Sequence, residues 1–301
     1  ILYKYMNLTE LRLFNLKDKH LFWVIVAFHI SCVWFLGEVY GEHNSNALYN
    51  LRWASDSLMQ TIPLDILSAD PLLSIYYLHI QPPMLDTVRV LISLISHSGT
   101  NQQVVVDQNL VRLWLLISGL MAGLIFIWVV KLTESRLYAF LTTIVWTAHP
   151  ATFSMISHLD STLLSALLST WLIYESWKLL RGVGSVTMFA FAAILCFLTR
   201  TIFQWYFFPV FIISLILLRT KPQDQIKAVV LFGIVVGIFI IKQYALYGMF
   251  TTTTFSGEHK SQMLWIEKAN PSGGQVWKGD SAGVAYKEFL EKNSATINLR
   301  Y

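Results

Sequence analysis

The chain has 301 residues, of which 55% are hydrophobic, 14% aromatic and 13% charged, with a formal net charge of +4 and a mean hydropathy of +0.53. Soluble chains carry roughly a quarter charged residues, and here the apolar residues fall in long runs rather than alternating or short segments. A soluble cytosolic enzyme and a disordered protein are excluded, so small a net charge does not indicate nucleic acid, and the expected class is an all-α polytopic membrane protein.

The chain opens at Ile1 with no methionine and no basic-then-apolar cleavable leader, so a trimmed or incomplete product is expected, with its first apolar run kept in the membrane. Residues 1–20 are read as a cytoplasmic N-terminal segment. Apolar runs near 21–37, 109–130, 137–156, 161–177, 184–198, 201–218 and 227–247 approach the roughly 20 residues that cross about 30 Å of hydrocarbon. About seven transmembrane helices are expected, forming a module over 21–247 with a long outer first loop at 38–108, followed by an extracytoplasmic tail at 248–301.

Lysine and arginine set the sidedness. With the N-terminus cytoplasmic, the inner segments carry Lys4, Arg12, Lys17, Lys19, Lys131, Arg136, Lys178, Arg181, Arg219, Lys221 and Lys227. The outer ones before the tail carry Arg52, Arg89, Arg112, Arg200 and Lys242, a bias of eleven to five. The sequon Asn7-Leu8-Thr9 then falls on the inner side, where it is not used. Cys32 and Cys196 both lie inside apolar runs, so no disulfide framework, zinc-type spacing or redox motif is present.

Met84 to His97 is too short for a span. Its polar residues Asp86, Arg89, Ser93 and Ser96 are spaced three, four and three, on one stripe of a helix, which predicts an interfacial helix within the outer loop. Eight of the thirteen acids before the tail also fall on the outer side: Glu38, Glu42, Asp56, Asp65, Asp70, Asp86, Asp107 and Asp160. Glu38 sits at the outer end of the first span, with Glu42 one helical turn beyond it. A carboxylate there can act as general base toward an acceptor hydroxyl or ligate a hard divalent cation.

Further along the loop, Asp70 opens the stretch that ends His79-Ile80-Gln81-Pro82-Pro83, whose paired prolines stiffen the backbone beside His79 and Gln81. His149-Pro150 and His158-Leu159-Asp160 bracket the next outer turn. Arg200 and Lys242 lie at or just inside the outer ends of their spans, where a charge faces a cavity or snorkels. Two cations at that depth opposite an acidic loop suggest a pocket for a phosphate-bearing lipid headgroup. Mid-span positions read as almost purely apolar, which separates this pattern from that of a secondary transporter.

The order of these parts resembles the type C glycosyltransferases, in particular the branch of protein O-mannosyltransferases and aminoarabinose-type transferases. The stretch His79 to Leu85 resembles that branch's His-Pro-Pro-Leu loop motif. Arg112 with the run Leu113 to Trp128 looks like its arginine-led second span, and His149-Pro150 through Asp160-Ser161 like the segment in which an aspartate opens the fourth. Phe197-Leu198-Thr199-Arg200 and Lys242 to Phe250 look like later motifs of bacterial members. The resemblance covers about residues 20–255, and its motifs are weak singly. Where the family shows an Asp-Glu pair after the first span, this chain has Gly37-Glu38 and Gly41-Glu42; members are also typically longer.

The resemblance implies transfer of a sugar from a polyprenyl- or dolichyl-phosphate carrier to a protein, lipid or glycan acceptor on the non-cytoplasmic face. Glu38 or Glu42, with Asp70 as third candidate, is the expected base and Glu38 and Glu42 the candidate ligands of any divalent cation. Arg200 and Lys242 meet the departing lipid phosphate, while His79, Gln81 and Asp160 position substrate. The alternatives are a secondary transporter and a non-catalytic membrane subunit of the same fold.

Overall fold

The structure, a computed structural model, describes residues 16–44, 62, 64–78, 82–96, 102–203, 207–218, 220–247 and 250–252. Within them the regular elements are helices: α1 (Leu16–Asn44), α2 (Leu64–Ala69), α3 (Pro71–Tyr77), α4 (Met84–Ile95), α5 (Gln102–Thr133), α6 (Arg136–Ala148), α7 (Pro150–Ser157), α8 (Thr162–Leu180), α9 (Val186–Thr199), α10 (Phe207–Leu217) and α11 (Pro222–Tyr247), with a 3-10 turn at Thr201–Phe203. No strand occurs among the described residues.

Three helical stretches are long and apolar enough to cross a membrane: His20–Gly37, Gln102–Thr133 and Pro222–Leu246. Of the other expected spans, α8 is long enough at 19 residues but is not among the stretches apolar enough to cross, and the rest are shorter or broken. The α9 helix has 14 residues and α10 has 11, which at 1.5 Å per residue rise only about 21 and 16 Å. The expected span 137–156 is two helices. His149 is extended (φ −72°, ψ 128°), as a residue before proline prefers. Pro150, which has no N–H to continue the α6 ladder, instead takes the first turn of α7. The freed groups at the break are satisfied: His149 Nδ1 accepts from Ala151 N at 3.1 Å, and Thr152 Oγ1 donates to the Trp146 carbonyl at 2.6 Å.

The α5 helix is the central column, packed against α1, α4, α6, α7 and α8. It runs antiparallel to α1 at close approach, because Gly119 and Gly123 present no side chain. A Cβ on Gly119 would lie 3.0 Å from Ile30 Cγ1, and one on Gly123 would lie 2.6 Å from Phe22 Cε2. Ile25, Ala122, Phe126, Ile127 and Ala139 form an apolar core between α1, α5 and α6. A second core joins α9, α10 and α11 through Phe197, Phe211 and Phe232, with Phe211 and Phe232 edge to face at 4.9 Å. The third, at the loop end of the bundle, gathers Ile62, Leu67, Leu78 and Leu85 of the first loop against Leu110, Trp114, Ile156, Leu159 and Leu163.

The 12-residue α4 is amphipathic in the expected stripe, but the stripe faces the protein. Asp86 and Arg89 are wholly buried and Ser93 nearly so, while Leu91, Leu94 and Ile95 are exposed. Arg89 Nη1 donates to Asp86 Oδ1 and to the Ile62 carbonyl, each at 2.7 Å. Ser93 and Ser96 receive amide hydrogens from Gln102 and Asn109, each at 2.9 Å. The apolar face is thus left outward, the disposition of a helix lying on a lipid interface.

Candidate functional site

Two of the expected site residues meet at the start of α8. Asp160 precedes the helix, and both its carboxylate oxygens are held by one residue, with Oδ1 accepting from Thr162 N at 2.9 Å and Oδ2 from Thr162 Oγ1 at 2.5 Å. An acid in this position suits the free N–H groups and dipole of a helix N-terminus. Arg200 ends α9 in an extended conformation, and its Nη1 donates to the same Thr162 hydroxyl at 2.9 Å. Among the described residues this is the side-chain hydrogen bond Arg200 makes, and it runs to a neutral oxygen rather than a carboxylate.

The cluster is recessed in the bundle. Trp114 Nε1 donates to the Asp160 carbonyl at 3.1 Å. Along α5, Trp114 lies about 6 Å, roughly one turn, from Ser118, which touches His29 at 2.8 Å. His29 stands at the middle of the candidate span His20–Gly37. From Trp114 another 12 residues of α5 continue to its start at Gln102, so the Asp160 cluster lies nearer the middle of α1 than the far end of α5.

Lys242, half-buried near the end of α11, reaches the first loop. Its Nζ donates to the Leu78 carbonyl at 2.6 Å and lies 5.4 Å from the Phe239 ring centroid. Leu78 closes α3 and is followed directly by the His79–Pro83 stretch. His79 and Gln81 themselves lie outside the described residues. The next residue on α11, Gln243, is buried and donates to the Thr252 carbonyl at 3.3 Å.

The expected bases are less fully placed. Glu38 and Glu42 belong to the backbone of α1, and their side chains lie outside what is described. Asp70 is exposed and caps α3, accepting from Leu73 N at 3.2 Å, so its carboxylate is committed to a helix start. Arg112 is occupied by its own helix, donating to Asn109 at 2.9 Å. Among the described residues no group of three or more His, Cys, Asp or Glu side chains is arranged to hold a metal ion. The side chains of Glu38 and Glu42 lie outside those residues, and no step is routed through a cation.

Two features escaped the sequence. Thr162 is the atom-level link between Asp160 and Arg200; its signal is the Asp-x-Thr spacing at a helix start, a local capping pattern. The second is a polar exception within the almost purely apolar mid-span positions: His29, wholly buried, bonds Ser118 of α5 and Thr147 of α6, each at 2.8 Å. No periodicity marks that cluster, because it joins residues 89 and 118 positions apart. No family model, curated protein or solved structure matches the chain. What the fold defines directly is an all-helical protein with three helices long and apolar enough to span a membrane.

Proposed function

We propose that the chain is an integral-membrane glycosyltransferase that moves a sugar from a polyprenyl- or dolichyl-phosphate carrier to an acceptor hydroxyl on the non-cytoplasmic face. One observation carries the reading: Arg200 lies within the bundle with its side-chain hydrogen bond to the Thr162 hydroxyl, and among the described residues no carboxylate takes up its donors directly, Asp160 being reached through that hydroxyl. Asp160 offsets part of the charge through Thr162 but leaves the guanidinium's donors open, and a guanidinium suits a phosphate by its fork of donors. A lipid-linked phosphate reaches that depth from within the bilayer.

In this reading the N-terminus is cytoplasmic and the loop end of the bundle faces outward. Glu38 or Glu42, with Asp70 as third candidate, takes the acceptor's hydroxyl proton as the acceptor oxygen bonds to the anomeric carbon. The carbon–phosphate-oxygen bond breaks on the opposite face, giving inversion. Arg200 meets the negative charge that develops on the departing phosphate, the kind of electrostatic contribution that usually dominates such steps. Lys242 adds a second positive charge, and His79, Gln81 and Asp160 position the sugar and acceptor.

The test is transfer from a radiolabelled polyprenyl-phosphate sugar by purified protein in lipid. Arg200→Gln lowers kcat by about a hundredfold or more, and the paired Glu38→Gln, Glu42→Gln variant abolishes transfer. Transfer that survives the paired exchange removes the base assignment; absence of transfer with every donor favours a non-catalytic subunit. One observation keeps a second reading, a secondary transporter: His29, Ser118 and Thr147 place hydrogen-bonding groups at mid-span. Vesicle uptake driven by a proton gradient and lost in His29→Leu would favour it over transfer.

A further inference from the structure

We propose that Thr162 is a positioning residue for Arg200, its hydroxyl holding the guanidinium beside Asp160 while keeping the carboxylate from taking up its donors directly. The inference rests on the reading of Arg200 as the contact for a lipid-linked phosphate. A threonine hydroxyl has one hydrogen and two lone pairs, and an ionised carboxylate only accepts. The 2.5 Å contact therefore spends the Thr162 hydrogen on Asp160 Oδ2, which leaves the Thr162 oxygen to accept from Arg200 Nη1 at 2.9 Å. The Thr162 N–H holds the other carboxylate oxygen at 2.9 Å, so both oxygens of Asp160 are engaged at the helix start.

The arrangement matters because of what it replaces. A direct Asp–Arg fork would take two of the guanidinium donors and turn that edge away from a ligand. With Thr162 interposed, one of the five N–H donors of a guanidinium is used among the described residues, which leaves four for a ligand. The hydroxyl also fixes which edge of the guanidinium is presented, since Nη1 is pinned and the rest of the group pivots about it. Removing the hydroxyl while keeping the side-chain volume releases both constraints: Arg200 turns to Asp160 and the anion site loses donors and orientation together.

The measurement is the binding of farnesyl phosphate, a short isoprenyl phosphate, to the intact purified protein in detergent, followed as a concentration-dependent rise in melting temperature, with farnesol as the uncharged control. The wild-type protein is stabilised by farnesyl phosphate and not by farnesol, and Arg200→Gln loses that response. Thr162→Val weakens binding by about tenfold, the scale of one charge-assisted hydrogen bond, whereas Thr162→Ser, which keeps the hydroxyl, stays within about twofold of wild type. If Thr162→Val does not fold, Thr162→Ala replaces it in the comparison. Wild-type affinity in the hydroxyl-free variant, alongside loss in Arg200→Gln, overturns the role of Thr162 and leaves the Arg200 site standing. Wild-type affinity in Arg200→Gln, or no response of the wild-type protein, overturns the Arg200 site and this inference with it.

Discussion

His29 Nε2 lies 2.8 Å from Ser118 Oγ, joining the middles of α1 and α5, helices of 29 and 32 residues. The direction of each hydrogen bond follows from the third member. Thr147 Oγ1 donates to the Thr143 carbonyl at 2.8 Å and so has no hydrogen left for the ring. In the neutral imidazole Nδ1 therefore donates to Thr147, and Nε2 accepts from the Ser118 hydroxyl. Interhelical hydrogen bonds in membranes contribute modestly, so the coupling between His29→Leu and Ser118→Ala is expected at about 0.5–1.5 kcal/mol. A double-mutant cycle by reversible unfolding in mixed micelles measures it. Strict additivity of the two changes would show that the contact does not link the helices energetically.

The neighbouring glycines predict the opposite kind of defect, crowding instead of loss. A Cβ on Gly123 would lie 2.6 Å from Phe22 Cε2 and 3.0 Å from Val26 Cγ2, so Gly123→Ala forces α1 and α5 apart at about 1–3 kcal/mol. Gly119→Ala is milder, because its nearest atoms, on Ile30 and Val26, stand at 3.0–3.2 Å. Shortening the obstacle should recover stability: Gly123→Ala in a Phe22→Ala background costs less than in the wild type. Equal melting-temperature losses in both backgrounds would place the strain elsewhere.

These contacts mark the boundary of what the residue pattern makes legible. Hydrophobic runs locate α1, α5 and α11 because each is a continuous helix of one composition. The break at His149–Pro150 was also readable in principle, since proline and its effect on the preceding residue are local, but the apolar run passes through it without interruption. Asp160 and Arg200 were singled out as charges out of place, whereas Thr162 and His29 were not, since a hydroxyl or an imidazole in a run of leucines has no meaning until a distant helix supplies its partner. The polar stripe of α4 shows the same limit. Its spacing established one face, and only the buried acceptor on Ile62 shows that this face looks inward.

That inward stripe makes a third prediction. Asp86 and Arg89 are both fully buried with their charged atoms 2.7 Å apart, so removing one partner strands the other. Arg89→Met alone is expected to destabilise by about 3–5 kcal/mol, while the joint Asp86→Leu, Arg89→Met exchange recovers most of the loss because buried pairs contribute little net stability over apolar replacements. Thermal unfolding of the three proteins decides it. A double variant as unstable as the single one would mean that the pair's other contacts, with the Ile62 carbonyl among them, dominate.

Lys242 carries two assignments that one experiment separates. As a cation near Arg200's end of the fold it contributes charge toward a phosphate; as the donor to the Leu78 carbonyl at 2.6 Å it ties α11 to the close of α3, 164 residues away in sequence. The tether is local enough to read directly, because the Leu78 amide is itself bonded to the Ile75 carbonyl at 3.3 Å and exchanges with solvent when that turn opens. In Lys242→Met the α3 amides and that of Leu78 should exchange faster with deuterium by about fivefold to tenfold, the effect of losing roughly 1–1.5 kcal/mol of local stability. Lys242→Arg keeps a donor within reach of the carbonyl and should leave exchange near the wild-type rate. Faster exchange in Lys242→Met, with lost farnesyl phosphate binding in both variants, would mean that the ammonium geometry serves the ligand as well as the loop. Unchanged exchange over 71–78 in Lys242→Met would show that the loop is held without it, leaving Lys242 as a charge and not a tether.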